Sequence, residues 1–334
     1  MVKDYNPLFS VIIPAYNAEK FLDQTIQSVV NQSFINWELI VVENGSCDHT
    51  CSIVQSYLHD YRIHLYHSEK GVSKARNYGI QQSKGQYLLF LDADDELCRN
   101  TLESFADLLN DESDFYRGKY FENRKYSNRI ESFKQEDIIS FISFSLNDPT
   151  TKCTIACSLF KKSILGRANI LFDEDIKYAE DSIFLIRYLL NCDTITIIDL
   201  PVYKYNYSEN STVRNNSGPV FEEYKKSYVK MKEILSVHND KLIEQIPSYI
   251  LNQVLIVFVN NIFNDGKKFK IQKKEALDIL NDQSVKDACD KVNFVYCDTK
   301  RKVIFILMKQ HFITLIGLIC KMKAYMNVRK KPIL

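Results

Sequence analysis

Short apolar runs alternate with amphipathic stretches through the first third of the chain, and the two follow different periods. Ser10, Val11, Ile12 and Ile13 make a β-branched run, after which Phe21, Leu22, Ile26, Val29 and Val30 recur at helical spacing within residues 18–32. The spacing predicts a strand and then a helix. The alternation repeats with a strand over 37–42 and a helix over 48–58, a strand over 62–67 and a helix over 72–82, and a strand over 87–91 and a helix over 100–109. Four strand–helix steps predict an α/β fold with a doubly wound, mostly parallel sheet.

Ligands of such sheets bind beyond the carboxyl ends of the strands. The polar clusters fall there. Pro14, Ala15, Tyr16 and Asn17 close the first strand, Glu43, Asn44, Gly45 and Ser46 the second, and Asp92, Asp94 and Asp95 the fourth. Taken singly, each cluster is also what a turn or a helix cap requires. Three carboxylates in four positions repel one another unless a cation sits among them, which points to a hard divalent ion and, through it, to a phosphate-bearing substrate.

Further on, Glu180 and Asp181 stand immediately before the apolar helical run 183–190, in its first turn. An apolar pair of segments, 194–198 and 202–207, precedes a polar, loop-like stretch over 208–218, in which Arg214 is a candidate to reach a phosphate; an ordinary mobile loop is the competing reading. From about Val220 lysine-rich helical patterns, 224–237 and 243–263, replace the strand–helix alternation. The expected organisation is a catalytic domain over residues 1–218 and a helical region over 219–334.

Composition narrows the class. With 46% hydrophobic and 25% charged residues in 334, the chain can bury a large core, and a formal net charge of +1 gives no reason to expect nucleic acid as a partner. Nine scattered cysteines include no zinc-type Cys-x-x-Cys, and residues 1–7 lack the apolar core of a signal peptide. Reduced thiols in a cytoplasmic protein are the reading. His-Glu-x-x-His and Gly-x-Gly are both missing, so zinc proteases and ordinary dinucleotide-binding folds lose their markers.

The last segment is apolar over 303–308 and 312–320 but interrupted by Lys309, Gln310 and His311, too short a run for a secure transmembrane helix. From Lys300 to the end stand nine lysines and arginines and no acid. That pattern predicts a helix lying on an anionic membrane surface; packing on protein or in a dimer interface is the competing reading.

With these residues assembled, the chain resembles the inverting glycosyltransferases of family 2, which have the GT-A fold. The segments that carry the resemblance are 10–17, 42–48, 71–77, 90–95 and Glu180-Asp181, in the family's order. The resemblance implies a GT-A sheet whose nucleotide-binding half is Rossmann-like, a nucleotide-diphosphate sugar as donor, and Mn²⁺ or Mg²⁺ held by the Asp-x-Asp element. It implies that Pro14 and Tyr16 lie at the base, that Glu43 and Asn44 line the pocket for base and ribose, and that Arg76 is close to the nucleotide. Asp92 is implied near the ribose, Asp94 and Asp95 as metal ligands, and Asp181, beside Glu180, as the general base of a single displacement with inversion. Many relatives have two aspartates where this chain has Glu43-Asn44, and some carry a metal-binding histidine after the apolar pair, whereas no histidine lies between His67 and His238. The implied acceptor is a saccharide or lipid-linked hydroxyl in bacterial surface polysaccharide assembly, at the inner face of the cell membrane. A partner subunit that binds sugar nucleotide without catalysis is the alternative; intact Asp92, Asp94 and Asp181 speak against it. A nucleotidyltransferase would carry a basic, glycine-rich loop after its first strand, where this chain has Pro14 to Asn17.

Overall fold

The computed structural model describes residues 6–109, 113–121, 130–206, 220–295 and 297–329. Along the chain run β1 (Phe9–Ala15), α1 (Leu22–Val30), β2 (Trp37–Glu43), α2 (Thr50–Ser56), β3 (Ile63–His67), α3 (Val72–Gln82), β4 (Tyr87–Phe90), β5 (Glu96–Leu97) and α4 (Thr101–Ala106). Then come β6 (Phe115–Tyr120), β7 (Ile130–Lys134), α5 (Gln135–Leu146), α6 (Pro149–Lys152), β8 (Ser158–Lys161), α7 (Lys162–Arg167), α8 (Glu180–Leu189) and β9 (Thr194–Lys204). The remainder is helical: α9 (Val220–Ser236), α10 (Asp240–Ile243), α11 (Ile246–Val257) with a π-turn (Phe258–Ile262), α12 (Phe269–Leu280), α13 (Gln283–Lys291), α14 (Thr299–Lys309) and α15 (Ile313–Arg329).

Two compact units divide these elements. The first comprises Met1–Ile138, Ile155–Asp175 and Phe184–Asn206, and the second Ile139–Thr154, Ile176–Ile183 and Tyr207–Leu334. The boundary expected near residue 218 lies outside the described residues, and the helical unit also takes two earlier segments.

All nine strands belong to the first unit, in the order β3-β2-β1-β4-β8-β6-β9-β5, with β7 also paired to β9. β3, β2, β1 and β4 run parallel, as the strand–helix alternation predicts, and both faces of β1 and β2 are buried along their whole length. Beyond β4 the sheet is mixed: β8 is antiparallel to β4 and β6, β6 is parallel to β9, and β5 and β7 are antiparallel to β9. The two apolar segments expected around 194–207 form one eleven-residue strand, β9. Its Pro201 is accommodated because the β6–β9 register shifts there, between Arg117 and Lys119.

Helix α3 crosses β1 closely because Gly79 has no side chain; a Cβ at that position would stand 2.4 Å from Ile12 Cγ2. On the same face of the sheet, Phe90, Phe160, Phe172 and Phe184 make an aromatic cluster, with Phe172 and Phe184 stacked at 3.9 Å. In the second unit, α11 is the core helix: the stretch Asp240–Ile262 is long and apolar enough to cross a membrane, yet its most apolar window is 78% buried. It packs with α9, α13 and the inner faces of α14 and α15 around Leu251, Val254, Phe258, Phe305 and Ile316.

Candidate functional site

β1 pairs with β2 on one side and β4 on the other, so the chain order reverses at β1 and the loops after these strands part to leave a crevice. The β1–β4 ladder ends at Ile12 and Phe90. Pro14 therefore sits past the last β4 partner and needs no N–H toward it. Its ring is buried, so what Pro14 contributes is a fixed exit for the chain, with Tyr16 exposed beyond it.

The loops after β1 and β2 are stitched together by side chains. Asn17, in the left-handed region at φ 48, donates its N–H to Ser46 Oγ (3.0 Å) and accepts from Cys47 N–H at Oδ1 (2.9 Å). Ala18 N–H reaches Thr50 Oγ1 (2.8 Å) and Glu19 N–H reaches Asp48 Oδ2 (3.1 Å). Tyr16 is held from the third loop, its hydroxyl accepting from Lys70 Nζ (2.7 Å), which also lies 4.5 Å from the ring centroid. The hydroxyl in turn holds the Lys70 ammonium above its ordinary pKa.

Glu43, at the last position of β2, is buried. It accepts from Gly45 N–H (2.7 Å) and Ser46 N–H, and from His67 Nδ1 (3.0 Å) at the end of β3. Burial pushes its carboxyl up, but the Ser46, His67 and Gly45 bonds together outweigh it and hold the pKa below the ordinary 4.5. A folded-state pKa below the unfolded one gives stability that is present above the unfolded value and lost as pH falls through the folded value. Glu43→Gln is accordingly expected to lower Tm by a constant amount above about pH 5, with the gap to wild type narrowing below about 4.5; thermal melts across acid pH check this, and a pH-independent gap contradicts it.

Asn44 is 4% exposed, and its Oδ1 has no hydrogen-bond partner among the described residues. A buried acceptor left open in this way costs free energy unless a ligand fills it.

Across the crevice, Arg76 on α3 lies almost buried beneath Asp92, Nη2 to Oδ1 3.0 Å, with its guanidinium 5.2 Å from the Phe172 ring centroid. Asp92 is half exposed and so keeps an oxygen toward the crevice while Arg76 fixes its orientation. The next turn is held from β9. Tyr203 Oη accepts from Asp92 N–H (3.2 Å) and donates to Asp95 Oδ2 (2.8 Å), and Asn206 N–H donates to Asp95 Oδ1 (2.8 Å).

Asp95 is 2% exposed. Burial, with Asp92 and Asp94 nearby, pushes its carboxyl up to about 8, against the pull of Asn206 and Tyr203. Both its oxygens accept hydrogen bonds that anchor the loop. Asp94, partly buried at the tip between Asp92 and Asp95, is with Asp95 a metal-ligand candidate. Tyr203→Phe leaves Asp92 N–H and Asp95 Oδ2 without this partner and is expected to cost roughly 1–3 kcal/mol, read as a lower midpoint in urea; an unchanged midpoint would show that the loop does not need β9.

Glu180 and Asp181 belong to the second unit, at the start of α8. Ala179, just before them, takes φ 61, a strained value for a residue with a Cβ, and turns the chain into the helix. Asp181 Oδ1 accepts from Ser182 N–H (2.8 Å), Ser182 Oγ donates to Cys153 O (2.9 Å), and Tyr178 stacks on Tyr224 at 4.9 Å. Burial first, then Tyr178, Asp181 and Glu180, push the Tyr224 phenol far up, so that it stays neutral beside the two acids. Arg214 and the rest of the 207–219 stretch lie outside the described residues.

Sequence reasoning passed over His67, Lys70 and Tyr203. Lys70, in the polar turn before Gly71, was the one with a visible signal. A hard divalent ion suits the donor set, since Asp94 offers carboxylate oxygen and Mg²⁺ or Mn²⁺ at a diphosphate takes most of its other ligands from phosphate and water. Among the described residues there is no group of three or more His, Cys, Asp or Glu that could hold a metal ion.

The profile described as Glycosyl transferase family 2 matches residues 10–167. The chain is similar to the uncharacterized glycosyltransferase EpsJ of Bacillus subtilis (strain 168), 26% identical over 96% of this chain and 98% of that one. It is also 26% identical to the poly(ribitol-phosphate) β-N-acetylglucosaminyltransferase TarS of Staphylococcus aureus (strain Mu50), over 82% of this chain but only 48% of TarS. Among solved structures, S. aureus TarS 1–349 with UDP-GlcNAc superimposes at a TM-score of 0.68 with 21% identity, covering 98% of this chain and 93% of that one. The mannosyltransferase PcManGT of Pyrobaculum calidifontis, with GDP-Man and Mn²⁺, reaches 0.55 at 15% identity, covering 95% and 87%. At these identities the two structures speak for the fold.

Proposed function

Residues 10–167 belong to glycosyl transferase family 2, and from that footing we propose that this glycosyltransferase moves a sugar, with inversion, from a nucleotide-diphosphate donor in the β1–β4 crevice to a saccharide or lipid-linked hydroxyl. The observation that carries the proposal is the gathering of Tyr16, Glu43, Asn44, Asp92 and Asp94 at one end of the parallel strands, with Tyr16 oriented by Lys70, Glu43 by His67 and Asp92 by Arg76.

Tyr16 is exposed and rigidified by Lys70, which suits it to cover the face of a base. The open Asn44 Oδ1 accepts a ring N–H, which uracil and guanine both carry, while Glu43 is spent on shaping the loop. Asp92, fixed by Arg76, presents its outer oxygen to ribose hydroxyls. Asp94 would hold Mn²⁺ or Mg²⁺, which when bound neutralises charge on the departing diphosphate. Asp181 is assigned the proton of the attacking hydroxyl; its support is the match to the family's acid pair and its place in the first turn of α8. Bacterial surface polymers are the proposed destination, a reading that rests on the poly(ribitol-phosphate) transferase TarS and the minor teichoic acid biosynthesis protein GgaB as relatives.

A thermal-shift screen of the full chain with UDP-GlcNAc and GDP-mannose, with and without Mn²⁺, tests donor binding. Stabilisation by one of them, followed by release of free nucleotide when acceptor is added, is expected. Stabilisation with no release under any acceptor would favour the non-catalytic partner subunit.

A further inference from the structure

We propose that the outer face of α15 docks on an anionic lipid bilayer. The helix is apolar on two opposite faces. Ile313, Ile316, Gly317 and Cys320 point into the core of the second unit, and Gly317 packs so closely that a Cβ there would stand 2.9 Å from Phe263 Cε1. At about 100° per residue, Leu315, Leu318, Ile319, Met322 and Met326 form a second stripe on the far side. Each of these is 39–59% exposed, and Phe312, 54% exposed, extends the stripe at its start. A helix that only packs on protein needs one such face; this one has a spare.

Charge selects what covers it. On the same helical wheel Lys321 and Lys323 fall on opposite flanks of the outer stripe; Lys321 Nζ lies 5.8 Å from the Phe269 ring centroid and burial holds the Lys323 ammonium below its ordinary pKa, so each long side chain must swing outward to meet a headgroup. The whole sequence from Lys300 to Leu334 supplies nine basic residues and no acid, of which Arg301 is paired with Asp148 and Asp298 and Lys309 with Asp290. A second copy of this chain related by a two-fold axis would set these lysines against their own counterparts, whereas an anionic leaflet complements them. Apolar insertion and basic attraction are the two signals that stable peripheral binding requires. The inference does not depend on the catalytic assignment and stands or falls separately from it.

The test is co-sedimentation of the full chain with vesicles of phosphatidylcholine containing phosphatidylglycerol, against pure phosphatidylcholine. Binding is expected only to the anionic vesicles and to weaken with added salt. Leu318→Glu with Met322→Glu, at positions more than half exposed so that the fold is kept, should lower the bound fraction at least about tenfold, and Lys321→Glu with Lys323→Glu should do likewise. Wild-type protein left in the supernatant, or either double variant pelleting like wild type, would overturn the proposal. So would sedimentation velocity showing a wild-type dimer that Leu318→Glu with Met322→Glu splits, since the stripe would then be an interface between copies.

Discussion

Replacing Asp181 by asparagine is expected to lower kcat by roughly 10²–10⁴, the range that a positioned general base contributes, while the donor dissociation constant stays within about twofold of wild type. Asparagine keeps the size of the side chain and the oxygen that accepts from Ser182 N–H, so the first turn of α8 is retained. What it loses is basicity. Initial-rate kinetics beside calorimetric titration of donor separate the two effects, and a variant that turns over normally removes Asp181 from the mechanism. Asp181→Ala is the poorer test because it also removes the hydrogen bond within the turn.

Asp94→Ala is expected to act on the other half of the reaction. In the presence of Mn²⁺ its donor affinity should fall by at least roughly 10²-fold, the upper end of what loss of even an outer-shell partner costs a metal site. Without divalent ion the two proteins should bind donor alike, because Tyr16, Glu43 and Asn44 are untouched. Asp95→Asn is the contrasting variant: with both oxygens of Asp95 given to Tyr203 and Asn206, it should lower stability yet keep the response to Mn²⁺. If Asp94→Ala gains as much from Mn²⁺ as wild type, the ion is held elsewhere.

The parallel half of the sheet was legible because its signals are local. β1, β2 and α3 fall within a few residues of their expected bounds, and the 72–82 helix matches α3 at both ends. β6 and β8 escaped notice because Arg117, Lys119 and Lys161 break their apolar character and their partners lie far along the chain. β9 read as two pieces because Asp199, Leu200 and Pro201 look like a turn, and only the β6 register shift lets one strand continue through them.

The same division runs through the site. Tyr16, Glu43, Asn44 and Asp92 could be picked out as polar residues at strand ends, yet the partners that orient them could not. Tyr203 reads as an ordinary apolar strand residue, and it meets Asp95 across 108 positions of sequence. Asp95 shows the limit of motif reading, for its burial and its bonds to Tyr203 and Asn206 are invisible in the acidic cluster.

The bonds joining Asn17 to Ser46 and Cys47, and Ala18 and Glu19 to Thr50 and Asp48, run back and forth between the first two crevice loops. Neither segment can therefore drift in length or composition by itself. In evolution or in engineering the pair must be inherited as one cassette, and a chimera that imports the 43–50 loop of a relative without its 15–20 loop inherits mismatched halves. Nucleotide preference, where these loops set it as proposed, is then a trait of the two segments together.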